Sequence, residues 1–176
     1  MTGEYDWRAI AKERENAIQQ RVEQIARAQS ESRDDQNRKE QANTERLNAY
    51  RAAIKEMHEI ARKIEGQLCP AAGKPSLISV LPQTGLDHFV VQLNPSSIPY
   101  ANTWKQLPSV VIKMGDPFND GMLYVSSTTA SGVAEPIESF KGTYGPPLTF
   151  ELYGPVTLQE IVSAACKWLV QQVNVK

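Results

Sequence analysis

Leu47-Asn-Ala-Tyr50-Arg-Ala-Ala-Ile54-Lys-Glu-Met57-His-Glu-Ile60-Ala61-Arg-Lys-Ile64-Glu-Gly-Gln-Leu68 is the stretch that decides how this chain is read. Leu47, Tyr50, Ile54, Met57, Ala61, Ile64 and Leu68 follow one another at spacings of 3, 4, 3, 4, 3 and 4. That is the heptad alternation of an amphipathic helix, sustained over about three repeats. With Leu47 at position a, Tyr50, Met57 and Ile64 fall at d, and Ala53 and Ile60 at g. The apolar stripe is then wider than a two-stranded seam needs, so the helix is expected to meet more than one surface. The preceding helix, the rest of the chain and a second subunit are the candidates. The expectation carried forward is oligomerisation, most simply as a homodimer, through Leu47, Tyr50, Ile54, Met57, Ile60, Ile64 and Leu68.

The surroundings of this stretch divide the chain in two. All nine arginines lie between Arg8 and Arg62, and no Gly or Pro occurs between Glu4 and Glu65. Ala, Glu, Gln, Arg and Lys dominate there, all good helix formers. In the earlier half Trp7, Ala11, Ile18, Val22 and Ile25 can share one face. Their frame runs to Arg46, one residue short of Leu47. Gln29 to Glu45 contains no large apolar residue. Two structures fit this slip. A hairpin can turn near Ser30–Asn37, with Ser32 as N-cap and Asp35 three residues on. A single helix with a polar middle would be on the order of 90 Å long. The missing Gly speaks mildly against a tight turn, the frame slip for a break, and the hairpin is favoured. Gly66 is a C-cap candidate, and Cys69-Pro70 ends the helix.

After Pro70, Gly and Pro recur between short β-branched and aromatic runs, which predicts strands at Leu77–Leu81, His88–Leu93, Ser109–Met114, Met122–Ser127 and Leu148–Tyr153, with a weaker one at Ile137–Thr143. Pro82-Gln-Thr-Gly85 and Gly115-Asp-Pro-Phe-Asn-Asp-Gly121 suit turns. Spacings of about ten residues favour an antiparallel meander over βαβ units. Thr157 and Glu160 form a capping box, with Val156 and Ile161 placed for a hydrophobic staple. Leu158, Ile161, Val162, Ala165, Trp168, Leu169 and Val173 follow on one helical face. The expected fold is α+β: an N-terminal helical, coiled-coil arm over 1–68, then an antiparallel sheet domain over 69–176 closed by a C-terminal helix.

Charge and composition narrow the function. Residues 1–68 carry 13 basic and 13 acidic side chains, and the whole chain is at −1. Neither part has the net positive charge that drives phosphate-backbone binding. No apolar run reaches the ~20 residues of a membrane span, and the N-terminus lacks a basic start followed by an apolar stretch. Two cysteines, Cys69 and Cys166, make no disulfide framework, so a reduced, cytoplasmic protein is expected.

Candidate chemistry is sparse. His58 falls beside the helical seam and His88 opens a strand. Asp87 and His88, being adjacent, are expected on opposite strand faces and thus not as a pair. No spacing brings a histidine to Cys69 or Cys166, and Cys166 reads as core. The zinc pairings C-x-x-C and H-x-x-x-H are absent. Asp116, Asn119 and Asp120 resemble a calcium loop only faintly: Phe118 and Ser127 stand where ligands would be needed. Ser126-Ser-Thr-Thr-Ala-Ser131 has no base beside it. Tyr144-Gly-Pro146 and Tyr153-Gly-Pro155 read as paired turns. No catalytic residue, metal site or cofactor is expected.

One connection stands apart. Asn94 to Pro108 has no periodicity, and loops of that length are often functional. Its Tyr100, Trp104 and Lys105 are the candidate partner-binding residues. The function expected is a non-enzymatic interaction, scaffold or adaptor protein, self-associating through the arm and binding another protein through the sheet domain. Two alternatives remain. One is a small enzyme with a pocket between sheet and loop, using acids such as Asp87, Asp116 or Glu151. The other is nucleic-acid binding through the arginine-bearing arm, which the equal number of acids disfavours.

Overall fold

The computed structural model describes residues 6–83, 85–99, 101–119, 121–143, 148–151 and 154–174. It is an α+β protein. A helix, α1, spans Trp7–Gln67. Strands follow at β1 (Ile78–Val80), β2 (His88–Leu93), β3 (Ser109–Met114), β4 (Met122–Thr128), β5 (Ala134–Thr143), β6 (Thr149–Glu151) and β7 (Pro155–Val156), and the helix α2 at Leu158–Gln171. These seven strands form one antiparallel sheet in sequence order, a meander in which each strand pairs with the next.

The expected hairpin near residues 30–37 is corrected: α1 is unbroken there. The physical reason is compositional. Nothing between Gln29 and Glu45 forces a positive φ or removes a backbone donor, so a change of hydrophobic frame does not interrupt the hydrogen-bond ladder. Gly66 is likewise inside the helix and not its cap. The Leu68 N–H still closes onto the Ile64 and Glu65 carbonyls.

The chain has two compact units, Met1–Thr44 and Glu45–Lys176. In the first, every described residue of α1 is exposed, including Trp7, Ile10, Ile18, Val22 and Ile25. The second unit holds the core. The last third of α1 supplies Tyr50, Ala53, Ile54, Met57, Ile60 and Ala61 to it. Alternate residues of the strands, such as Phe89, Val91, Leu93, Val110, Ile112, Leu123, Val125, Phe140 and Phe150, point to the same core, as period-two geometry requires. From α2 come Ile161, Val162, Ala165, Cys166 and Leu169. The last third of α1, together with α2, thus covers one face of the sheet. On the other face Val90 and Val111 are half-buried and Lys113 and Tyr124 exposed.

The ends of the elements show why the chain stops and turns where it does. At α2 the Thr157 side chain accepts from the Glu160 N–H at 3.2 Å, while the Glu160 carboxylate accepts from the Thr157 N–H at 2.8 Å. Both orphan donors of the first turn are satisfied, as the sequence predicts. β5 is longer than its apolar pattern indicates. It begins at Ala134 and accommodates Pro136 at an irregularity where Val125 pairs with Glu138 and Ser126 with Pro136, leaving Ile137 as the extra residue. At the other end of the sheet, the Glu65 carboxylate of α1 accepts from the Val80 N–H at 3.2 Å, and the Ser76 hydroxyl from the Ile78 N–H at 3.4 Å. The outward donors of edge strand β1 are therefore occupied by side chains of the same chain.

Candidate functional site

The residues singled out from the sequence fall in three places. The helical seam Tyr50–Leu68 lies inside the Glu45–Lys176 unit. Tyr50, Ile54, Met57 and Ile60 are buried, Ile64 and Leu68 pack against the same core, and Leu47 is half-buried. Their burial comes from the chain's own sheet. The Tyr50 ring stands edge-on to Phe150 at 6.0 Å between centroids, and His58 edge-on to Phe89 at 5.5 Å. His58 also meets the Leu81 carbonyl through Nε2 at 3.2 Å, which ties α1 to the segment just after β1.

The loop 94–108 is the second place. It is shaped by two short 3-10 turns, Pro95–Ser97 and Ala101–Thr103. Asn94 caps the first by accepting from the Ser96 N–H at 3.0 Å, and the Ser97 hydroxyl donates to the Ser76 carbonyl at 3.0 Å. Trp104 is half-buried and packs against the core, Lys105 is exposed, and Tyr100 lies outside the described residues. An open depression of about 380 Å³ is lined by Pro95, Ile98, Ala101, Asn102 and Leu107. Among the described residues that line it, the Asn102 amide is the only polar side chain and none is a general acid or base, so this lining suits an aliphatic or aromatic side chain.

The third place is the Asp87–His88 pair, and here the sequence expectation is corrected. The Asp87 carboxylate and His88 Nδ1 are 2.8 Å apart. Asp87 belongs to the turn before β2, so strand alternation does not govern it. Its backbone carbonyl also accepts from the Met114 N–H at 2.7 Å. The hydrogen bond from His88 holds the Asp87 carboxyl below its ordinary value, and Lys113, opposite His88 in the register, adds a smaller pull in the same direction. A carboxylate whose folded-state pKa is depressed contributes stability above its unfolded pKa and loses it as the pH falls through the folded value. The stability difference between wild type and Asp87→Asn should therefore be present just above the ordinary aspartate value of about 4 and close as the pH falls below it. Urea unfolding midpoints across the acid limb read this directly, and parallel curves down to the lowest pH would refute it.

The remaining candidates have structural placements. Cys166 is buried, its thiol pushed up to about 11 by desolvation, which leaves it a protonated core side chain and no nucleophile. Cys69 is exposed. Asp116 closes the β3–β4 turn: its side chain accepts from the Phe118 N–H at 2.9 Å and its carbonyl from the Asn119 and Gly121 N–H groups, both at 3.1 Å. Glu151 is exposed on β6. Ser126–Ser131 runs from β4 into the β4–β5 turn. Both Tyr-Gly-Pro repeats involve residues outside those described. Among the described residues, no three of His, Cys, Asp and Glu are grouped so as to hold a metal ion, and no helix is long and apolar enough to cross a membrane.

What sequence reasoning missed is a junction between α1 and the sheet. The Gly121 carbonyl accepts from both the Tyr50 hydroxyl and the Gly142 N–H. Gly121 has φ +61°, the left-handed conformation that favours glycine. The glycines were visible as turn signals, but nothing local marks Gly142 as the neighbour of a tyrosine 92 positions earlier. Comparison of the chain with family models, with curated proteins and with solved structures yields no match.

Proposed function

We propose that this is a non-enzymatic interaction protein that self-associates through the first half of α1 and presents the sheet unit to a protein partner. The observation that carries this reading is the exposure of Trp7, Ile10, Ile18, Val22 and Ile25 on one helix. These side chains range from 41% to 73% exposed, while the helix's later apolar residues are spent on the chain's own core. An amphipathic helix gains most of its stability from covering its apolar face. In the described residues Ile10, Ile18, Val22 and Ile25 remain exposed, and a helix from another chain is the cover that this stripe fits. Self-association is thereby assigned to Trp7, Ala11, Ile18, Val22 and Ile25 in place of Leu47–Leu68. For the sheet unit, the support is the apolar depression in the loop 94–108, the same loop that carries exposed Lys105.

Light scattering on a sizing column tests the self-association. The full chain should run at no less than twice its 19.6 kDa. Replacing Ile18 and Ile25 together by Lys should return it to the single-chain mass while the unfolding midpoint of the sheet unit stays put. A wild-type chain that remains at 19.6 kDa throughout the micromolar range would remove this reading.

A further inference from the structure

We propose that the first half of α1 pairs with the same segment of a second copy in antiparallel orientation, about a two-fold axis near Asn16. This rests on the self-association reading and gives it a geometry. The stripe has a continuous frame on this unbroken helix: Trp7, Ala11, Arg14, Ile18, Arg21, Ile25 and Ala28 follow at spacings of 4, 3, 4, 3, 4 and 3. Ala11, Ile18 and Ile25 then occupy one set of seam positions, and Trp7, Arg14, Arg21 and Ala28 the other. All of them are exposed in the single chain. The two arginines sit within the seam, and they decide the orientation.

In a parallel, in-register pair each seam residue meets its own copy across the axis. Arg14 would face Arg14 and Arg21 would face Arg21, two like-charge layers between the three isoleucine and tryptophan layers. Like charges held directly opposite one another oppose association. In an antiparallel pair the two sets of seam positions face each other. Centred on Asn16, Trp7 lies level with Ile25 of the second copy, Ala11 with its Arg21, and Arg14 with its Ile18. Each arginine then lies against an aliphatic side chain, along which its methylene stem packs while the guanidinium reaches water. The acids Glu13 and Glu15 lie between the two levels reached by the other copy's arginines. The largest side chain, Trp7, meets Ile25 at both ends, so every seam position from Trp7 to Ile25 meets the second copy at once. Shifting the centre by a heptad in either direction leaves Trp7 or Ile25 without an apolar neighbour.

Engineered cysteines test the orientation in the full chain carrying Cys69→Ser. Ala11→Cys and Arg21→Cys are purified separately, mixed under reducing conditions to allow exchange, and then oxidised. The mixture should form a disulfide-linked dimer on a non-reducing gel, at a yield several-fold above either variant alone. Self-linking of either variant at the rate of the mixture would show a parallel pair and overturn the proposal. So would a protein that is dimeric by light scattering but links in none of the three samples, since its interface would then lie elsewhere. A chain that is monomeric by light scattering takes down the self-association reading itself, which separates the two failures.

Discussion

Gly142→Val should cost the protein about 3 kcal/mol or more, from overpacking together with a lost hydrogen bond. The position has no room. A β-carbon there would sit 2.9 Å from Cζ of Tyr50 and 3.2 Å from the Gly121 carbonyl oxygen. Tyr50 has no accessible surface and stands edge-on to Phe150, so it cannot swing aside without breaking that contact. Nor can the strand retreat freely, because the Gly142 N–H donates to the Gly121 carbonyl at 2.8 Å. Urea unfolding of wild type and variant measures the loss, and a difference under about 1 kcal/mol would show that the junction yields easily. Tyr50→Phe is the companion variant. It removes one donor from a carbonyl that keeps the other, so its own cost should be about 1 kcal/mol. With the hydroxyl gone, Gly142→Ala should be less damaging than in the wild-type background. The coupling in that double-mutant cycle should exceed about 0.5 kcal/mol, as expected for residues in contact.

Ile54→Ala should destabilise the Glu45–Lys176 unit by about 2–5 kcal/mol, the range for deleting a buried aliphatic side chain. Ile54 has no exposed surface and belongs to the same buried cluster as Tyr50, Met57 and the inner face of the sheet. The size of the effect is less informative than its dependence on concentration. A residue in the core of a single chain lowers the unfolding midpoint by the same amount at every protein concentration. A residue between subunits produces a loss that grows as concentration rises, because the wild type then gains association energy that the variant lacks. Unfolding curves at two concentrations a hundredfold apart should therefore show the same shift between wild type and Ile54→Ala. A shift that depends on concentration would return the Leu47–Leu68 seam to a subunit interface.

The contrast between these two sites shows what was legible in the sequence. The α+β layout and the positions of β2, β3 and β4 follow from turn residues and β-branched runs that act locally. The capping box at Thr157 and Glu160 is likewise a matter of four consecutive positions. Heptad spacing announces that the stripe containing Ile54 is covered, but period alone carries no information about what covers it. Here the cover includes a sheet whose strands lie between Ile78 and Val156, well beyond the stripe in sequence. The frame slip after Ile25 marks a change of environment along one continuous helix, where a chain reversal was the favoured reading. Pro136 hid the start of β5, since a proline demotes a run unless the bulge that accommodates it is known. β7 is two residues long and carries no periodic signal. The Asp87–His88 contact is not governed by strand alternation, because Asp87 lies just outside the strand. The depression under the loop 94–108 required its two 3-10 turns to be in place before any lining could be named.

The Tyr50 hydroxyl and the Gly121 carbonyl it engages are 71 positions apart, and Phe150, against which the same ring stands, comes later still. Synthesis proceeds from the N-terminus, so α1 leaves the ribosome long before the surface that will bury it. At roughly 5–20 residues per second, several seconds pass between the appearance of Tyr50 and that of Phe150. Throughout that interval Ile54, Met57 and Ile60 belong to a nascent chain with no sheet to receive them, and α2 is still unmade. The unit must close late and largely at once, with few native contacts available to a truncated chain. Premature release of the polypeptide would therefore set free an amphipathic helix with two uncovered apolar stripes, the form of this chain most prone to associate indiscriminately.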